Sequence, residues 1–224
     1  MAKQRLGVIV IGQSPRPECE TALRSVLGDA VEIDLRGALD GMSRAEIGRI
    51  GPSDGADMLF TRLPDGEAIT ISKRAVTEGA QVQLDRFAGE GIDVTLMFCT
   101  GSFPGLRAAG PVVFPSAVLA GWAQGLLARG RLGLLVPLPE QAPHLAKKWA
   151  RPGVEVVAEA LVPGSGDAAI DVAAARLAER RPDLVVMDCM SYDQATKDRV
   201  RRTVAARTML AVTATARAVQ ELLA

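Results

Sequence analysis

The chain has 224 residues, of which 48% are hydrophobic and 23% are charged, a balance typical of soluble globular proteins. Lys plus Arg and Asp plus Glu each total 26, so the formal net charge is zero. This gives no electrostatic reason to expect a nucleic acid or a membrane as partner. The first apolar run, residues 8–11, is too short for a signal peptide or a membrane span. Three cysteines without zinc-type spacing favour reduced thiols, no metal site and a cytoplasmic location.

The first half of the chain alternates short apolar runs with longer mixed stretches, which predicts strands separated by helices. The predicted elements are a strand at 5–11, a helix at 17–27, a strand at 31–34, two strands within 57–71, a helix at 72–90, a strand at 93–98, an apolar run at 111–114 and a helix at 116–128. The turn signal Pro64-Asp65-Gly66 predicts that residues 57–71 form a β-hairpin.

The second half repeats this rhythm. Its predicted elements are a strand at 131–136, a helix at 140–150, a strand at 154–160, a helix at 167–181, a strand at 184–188, a helix at 193–206, a strand at 208–212 and a helix at 214–223. Apolar strands separated by helices indicate parallel sheets that are covered on both faces.

The two halves resemble one another in sequence. The segment Arg5-Leu6-Gly7 is matched by Arg131-Leu132-Gly133, and the segment DVTLMFC ending at Cys99 is matched by DLVVMDC ending at Cys189. We therefore predict an α/β protein of two pseudo-symmetric three-layer αβα lobes with mainly parallel sheets and an active site in the cleft between them. Residues 1–115 and 207–224 are assigned to the N-terminal lobe, which carries the hairpin near 57–71 as an insertion, and 116–206 to the C-terminal lobe.

Cys99 and Cys189 are the candidate catalytic residues. Ligands of open parallel sheets bind beyond the carboxyl ends of the strands, and both cysteines leave such ends. Two facing thiols suit proton transfer, in which a thiolate removes a proton from a carbon acid and a thiol returns one to the other face. The alternative is that both are small buried hydrophobes at strand ends, which is the interpretation we give Cys19.

The motifs IGQSPRPE, GALDG, CTGSFPGL, Gln141 followed by Lys148-Trp149, and MDCMSYD occur in this order. Together they resemble the AroM-like family, which is similar to the aspartate/glutamate/hydantoin racemase superfamily. The resemblance spans nearly the whole chain. It implies two α/β lobes, cofactor-independent racemisation or related chemistry, and two opposed catalytic cysteines, which by position are Cys99 and Cys189. It also implies a small carboxylate-bearing substrate and, since relatives often pair, a possible homodimer.

The residues after each cysteine depart from the superfamily pattern. Racemases typically continue the first cysteine with Asn-Thr and the second with Thr-His, whereas Thr100-Gly101-Ser102 and Met190-Ser191-Tyr192 follow here. Relatives with one cysteine decarboxylate malonates, so the fold does not fix the reaction. A cysteine-dependent decarboxylase or lyase therefore remains an alternative, as does a non-catalytic small-molecule-binding protein linked to aromatic amino-acid metabolism.

The candidate substrate-binding residues lie in the loops that follow the predicted strands. Ser14 and Arg16 lie where the superfamily binds a substrate carboxylate, although the same residues suit a helix N-terminal turn. Asp40 is a candidate pocket wall or part of a plain loop. The remaining candidates are Thr100, Gly101 and Ser102 as donors to an oxyanion, Gln141 as a polar contact, and Ser191 and Tyr192 beside the second cysteine.

Overall fold

A computed structural model describes residues 3–224 and contains alternating strands and helices. The strands are β1 (Gln4–Val10), β2 (Val31–Gly37), β3 (Met58–Arg62), β4 (Ala68–Ser72), β5 (Val94–Phe98), β6 (Val112–Val113), β7 (Gly130–Val136), β8 (Val154–Ala160), β9 (Leu184–Met187) and β10 (Arg207–Leu210). The α-helices are α1 (Pro17–Leu27), α2 (Arg44–Ile47), α3 (Lys73–Gly89), α4 (Pro115–Leu126), α5 (Ala142–Trp149), α6 (Asp167–Glu179), α7 (Gln194–Thr203) and α8 (Ala211–Leu222), and a 3-10 turn covers Pro139–Gln141.

The strands form two four-stranded sheets and one hairpin. The first sheet has the order β2-β1-β5-β6, and the second has the corresponding order β8-β7-β9-β10; every pair in both is parallel. β3 and β4 pair antiparallel around the predicted turn, where Gly66 has a φ of +88°. The predicted α/β class with mainly parallel sheets is confirmed.

The sequence repeat corresponds to matching places in the two sheets. Leu6 of β1 pairs with Val94 of β5, and Leu132 of β7 pairs with Leu184 of β9. The repeated glycines are both in close contact with a neighbouring side chain. A Cβ at Gly7 would lie 2.7 Å from the Phe87 ring, and one at Gly133 would lie 3.0 Å from Pro182. A glycine at this strand position therefore lets the covering segment approach the sheet.

The chain divides into two compact units. The first unit runs to Ser116 and includes Thr215–Ala224, and the second is Ala117–Ala214. We predicted that residues 207–224 belong to the N-terminal lobe. Thr215–Ala224 are part of the first unit, whereas β10 (Arg207–Leu210) pairs with β9 of the second sheet. The backbone hydrogen bonds of a parallel ladder hold β10 there. An apolar run such as TMLAV shows that a strand exists but not which strand it joins.

Local sequence signals explain where several helices begin. Pro17 occupies the first turn of α1, and the side chains of Ser72 and Asp193 accept backbone N–H bonds at the starts of α3 and α7. The hydrophobic core of the first unit includes Ile9 on β1, Phe87 on α3 and Cys99 after β5. Within residues 3–224, every helix is too short or too polar to cross a bilayer.

Candidate active site

Cys99 lies directly after β5 in the first unit and is buried. The backbone N–H of Gly101 donates a hydrogen bond to its Sγ at 3.3 Å. A donor aimed at sulfur stabilises the negative thiolate relative to the thiol. A Cβ at Gly101 would lie 3.1 Å from the Phe103 ring and 3.2 Å from Leu59, so the glycine permits the tight loop that presents this N–H.

The other two predicted oxyanion donors in this loop differ in exposure. Thr100 is half-buried beside Cys99, and Ser102 is exposed. Ser102 borders a shallow pocket of about 450 Å³ whose charged lining includes Asp57, Lys73 and Arg74. The loop therefore places the Gly101 N–H at the thiol and leaves Ser102 exposed.

Ser14 and Asp40 lie together at the carboxyl ends of β1 and β2. The Ser14 N–H donates to Asp40 Oδ1 at 2.7 Å, the Ser14 hydroxyl donates to Oδ2 at 2.7 Å, and the Gly37 N–H also donates to Oδ2 at 2.7 Å. The Ser14 hydroxyl hydrogen is thus directed at Asp40 rather than at a substrate carboxylate. We predicted Asp40 as a pocket wall or part of a plain loop. In the structure its carboxylate joins the loops after β1 and β2.

Gln13, which was not among the predicted site residues, reinforces the same connection. Its Nε2 donates to the carbonyl oxygens of Leu39 at 3.2 Å and Met42 at 2.8 Å. A side-chain amide that bonds two backbone carbonyls fixes the loop after β2. The sequence signal for it is the polar pair Gln13-Ser14, which follows Gly12 at the end of the apolar run.

Arg16 is buried and already has partners within the first unit. Its Nε contacts the Glu18 carboxylate, and its Nη1 donates to the Arg62 carbonyl at 2.8 Å. The guanidinium therefore ties the start of α1 to the end of β3. Beside it, burial raises the pKa of the Cys19 thiol to about 12, an effect that Arg16 opposes and Glu18 reinforces.

Cys189 follows β9 in the second unit and is buried together with Asp188. The indole Nε1–H of Trp149, at the end of α5, donates to Asp188 Oδ2 at 2.7 Å. In the sequence, Trp149 belongs to one of the family motifs and has no predicted connection with Asp188. The 39 residues between them leave no local signal of this contact.

Tyr192, which we predicted as a substrate-binding residue, makes a hydrogen bond within the second unit. Its hydroxyl donates to the Leu161 carbonyl at 2.5 Å inside the second unit. Burial raises the pKa of Tyr192 well above 10, and the nearby Cys189 and Asp188 raise it further. The hydroxyl therefore keeps its proton at neutral pH and fastens the turn after Cys189 to the end of β8.

Two further predicted residues lie on the same strand-end side of the second sheet. Gln141 is buried in the 3-10 turn after β7, and Ser191 is half-buried within the turn between Cys189 and Tyr192. Within the described part of the chain, no group of three or more His, Cys, Asp or Glu side chains is placed to hold a metal ion.

The chain matches a family model described as "AroM protein" over residues 6–223. No curated protein matches it in sequence.

Among solved structures, the chain is similar to glutamate racemase from Francisella tularensis subsp. tularensis SCHU S4 in complex with D-glutamate (13% identity, 99% of this chain and 81% of that one, TM-score 0.63). It is also similar to allantoin racemase from Klebsiella pneumoniae (21% identity, 98% and 87%, TM-score 0.62). A third likeness is to arylmalonate decarboxylase (14% identity, 98% and 92%, TM-score 0.65). At these identities the likeness shows a shared fold.

Proposed function

Because the chain belongs to the AroM family and has the racemase-superfamily fold, we propose that it is a cofactor-independent, racemase- or epimerase-like isomerase. Its substrate is a small carboxylate-bearing carbon acid, and its reaction is proton transfer by Cys99 and Cys189. The observation that carries this proposal is the matched position of the two thiols. Cys99 is the first residue after β5, and Cys189 is the second residue after β9. These two strands are equivalent, because β5 pairs with β1 in the first four-stranded parallel sheet as β9 pairs with β7 in the second.

The proposed reaction is a balanced exchange of protons. One thiolate removes the proton from the carbon next to the carboxylate, and the electron pair of the broken C–H bond moves into an enolate-like carboxylate. The second thiol then gives its proton to the opposite face of the carbon and becomes the thiolate. Proton exchange with water restores the starting forms, so no oxidant, reductant or cofactor is consumed.

The strand-end loop of Cys99 supplies a means to stabilise the developing charge. Backbone N–H groups in a buried loop are already oriented and therefore lower the energy of an oxyanion without reorganisation. In this proposal Thr100 and Ser102 donate to the enolate, and Gly101, whose N–H bonds Cys99 Sγ, orients the thiol beside them. Arg16 and Ser14, whose donors already have protein partners, shape the neighbouring loops.

Solvent exchange in the cysteine variants tests the proposal. A panel of chiral 2-substituted carboxylic acids is incubated with the protein in deuterated water, and deuterium at the α-carbon is followed by NMR. We expect Cys99→Ser and Cys189→Ser each to lower the exchange rate by about 100-fold or more, as for loss of a general acid or base. Cys19→Ser is the matched control, since its thiol lies outside the strand-end loops, and it should retain exchange. Full exchange in either of the first two variants contradicts the proposal.

A second candidate is a cysteine-dependent decarboxylase or lyase, favoured by the likeness to arylmalonate decarboxylase and by Met190-Ser191 where racemases have Thr-His. This reaction needs one thiol as proton donor to the carbanion left by carbon dioxide. It predicts carbon dioxide release from 2-substituted malonates and tolerance of one cysteine substitution. Ligand binding without exchange or release would instead support a non-catalytic binding protein.

A further inference from the structure

The β3–β4 hairpin distinguishes the first unit from the second. Between β2 and β5 the chain contains α2, the hairpin and α3, whereas between β8 and β9 it contains α6 alone. Within residues 3–224, the hairpin therefore has no counterpart in the second unit. Its contacts show which part of the first unit it covers.

One face of β3 lies against the loops that follow β1 and β5. Leu59 and Thr61 are two positions apart on this strand, so their side chains point to the same face. A Cβ at Gly12, in the loop after β1, would lie 2.9 Å from the Thr61 hydroxyl oxygen. A Cβ at Gly101, in the loop after β5, would lie 3.2 Å from Leu59 Cδ2. Since β1 and β5 are neighbours in the sheet, β3 lies across the carboxyl ends of both.

The hairpin is held in this place on both sides of Leu59. At the end of β3, the Arg62 carbonyl accepts the Arg16 Nη1–H at 2.8 Å. Just before β3, the Asp57 carbonyl accepts the Lys73 backbone N–H at 2.8 Å. β3 is therefore anchored to the start of α1 and to the start of α3, and Leu59 between the two anchors has a fixed position.

Leu59 occupies space next to Cys99. Both side chains are buried in one hydrophobic cluster, together with Phe103. Gly101, against which Leu59 packs, donates its N–H to Cys99 Sγ at 3.3 Å. Ligands of open parallel sheets bind beyond the carboxyl ends of the strands. In the first unit, a group that reaches the thiol from the strand ends therefore shares this space with Leu59.

We infer that Leu59 limits the size of the group that can reach Cys99, so that the substrate carries a small substituent on its reacting carbon. Side chains in a close-packed interior do not compress, so Leu59 excludes a group that needs its volume. Thr61 and the Arg62 carbonyl keep the strand in place at the end of β1. The limit on the substrate rests on the proposed function, whereas the limit on access to the thiol does not.

Two alkylating reagents of the same chemistry and different size test the inference without a substrate. In the variant Cys19→Ala/Cys189→Ala, Cys99 is the one cysteine, and its alkylation by iodoacetamide and by the N-benzyl derivative is followed by mass spectrometry. Both reagents react with the thiolate, so the ratio of the two rates cancels any change in the thiolate fraction. We expect Leu59→Ala to raise the rate of the benzyl reagent relative to iodoacetamide by about tenfold. An unchanged ratio overturns the inference.

Matched variants separate this effect from a general loosening of the core. Leu23→Ala removes the same atoms from a fully buried position on α1, and the ratio should not change. An equal rise in Leu23→Ala also overturns the inference. Leu59→Val removes a single methylene group and should raise the ratio by a smaller factor. If circular dichroism shows that Leu59→Ala does not fold, Leu59→Val decides the outcome by the same criterion.

The exchange assay extends the test to the substrate. We expect Leu59→Ala to raise the exchange rate of carboxylic acids with a benzyl substituent relative to those with a methyl substituent, and an unchanged preference overturns the limit on the substrate. If the alkylation ratio rises but no acid exchanges its proton, the limit on access stands and the isomerase proposal fails. If exchange requires both cysteines but the ratio does not move, the isomerase proposal stands and the role of Leu59 fails.

Discussion

Ser14 and Asp40 are joined by two hydrogen bonds of 2.7 Å, one from the Ser14 backbone N–H and one from its hydroxyl. The two residues lie in different strand-end loops, 26 positions apart. Since Asp40 also accepts the Gly37 N–H, a single carboxylate fixes the loops after β1 and β2. Ser14 therefore contributes to the geometry of the candidate site through Asp40.

Replacing this carboxylate should destabilise the protein. Asp40→Asn leaves one oxygen acceptor where three donors converge, and we expect a loss of about 1–3 kcal/mol in the free energy of unfolding, measured with urea. Ser14→Ala should cost about 1 kcal/mol and be less than additive with Asp40→Asn, because both remove the same hydroxyl contact. Asp29→Asn, at a side chain that is 98% exposed, is the control and should change little. Fully additive costs would show that the residues act separately.

The buried thiol of Cys19 predicts a loss of stability at alkaline pH. Burial raises its pKa from 9.0 to about 12, so the unfolded chain loses this proton at lower pH than the folded one does. The stabilising contribution is complete below about pH 9 and declines from there towards pH 12. Between pH 8.5 and 10.5 we expect the wild type to lose about 2 kcal/mol more than Cys19→Ala does. The free energy of unfolding of each protein is measured with urea across this range. An equal decline with pH in the two proteins would contradict the burial argument.

The Gly101 N–H is expected to set the reactivity of Cys99. Gly101→Ala adds a methyl group that would lie 3.1 Å from Phe103 and 3.2 Å from Leu59, and we expect this crowding to displace the loop and weaken the bond to sulfur. In a variant that lacks the other two cysteines, alkylation of Cys99 by iodoacetamide at pH 7.5 should slow by about threefold to tenfold, since the thiolate is the nucleophile. Gly105→Ala is the control in the same loop, because its Cβ would approach nothing closer than 3.8 Å. An unchanged or faster alkylation rate in Gly101→Ala would contradict the role of the Gly101 N–H.

The features that the sequence predicts well are those encoded by neighbouring residues. Apolar runs located the strands that lead to Cys99 and Cys189, and Pro64-Asp65-Gly66 located the hairpin turn. The contacts of Trp149 with Asp188 and of Tyr192 with Leu161 join residues 39 and 31 positions apart. Such contacts depend on how the strands align, which periodicity does not specify. The pairing of β10 with β9 depends on strand alignment in the same way.

The isotopic pattern of a racemising substrate tests the two-thiol account most directly. One enantiomer of a carbon acid that the protein turns over is incubated in deuterated water, and both enantiomers are separated early in the reaction. If Cys99 and Cys189 act from opposite faces, the product enantiomer carries deuterium, because the donor thiol exchanges with solvent, while the recovered starting enantiomer keeps its hydrogen. Equal early deuteration of both enantiomers would show that one base serves both faces and would contradict the account.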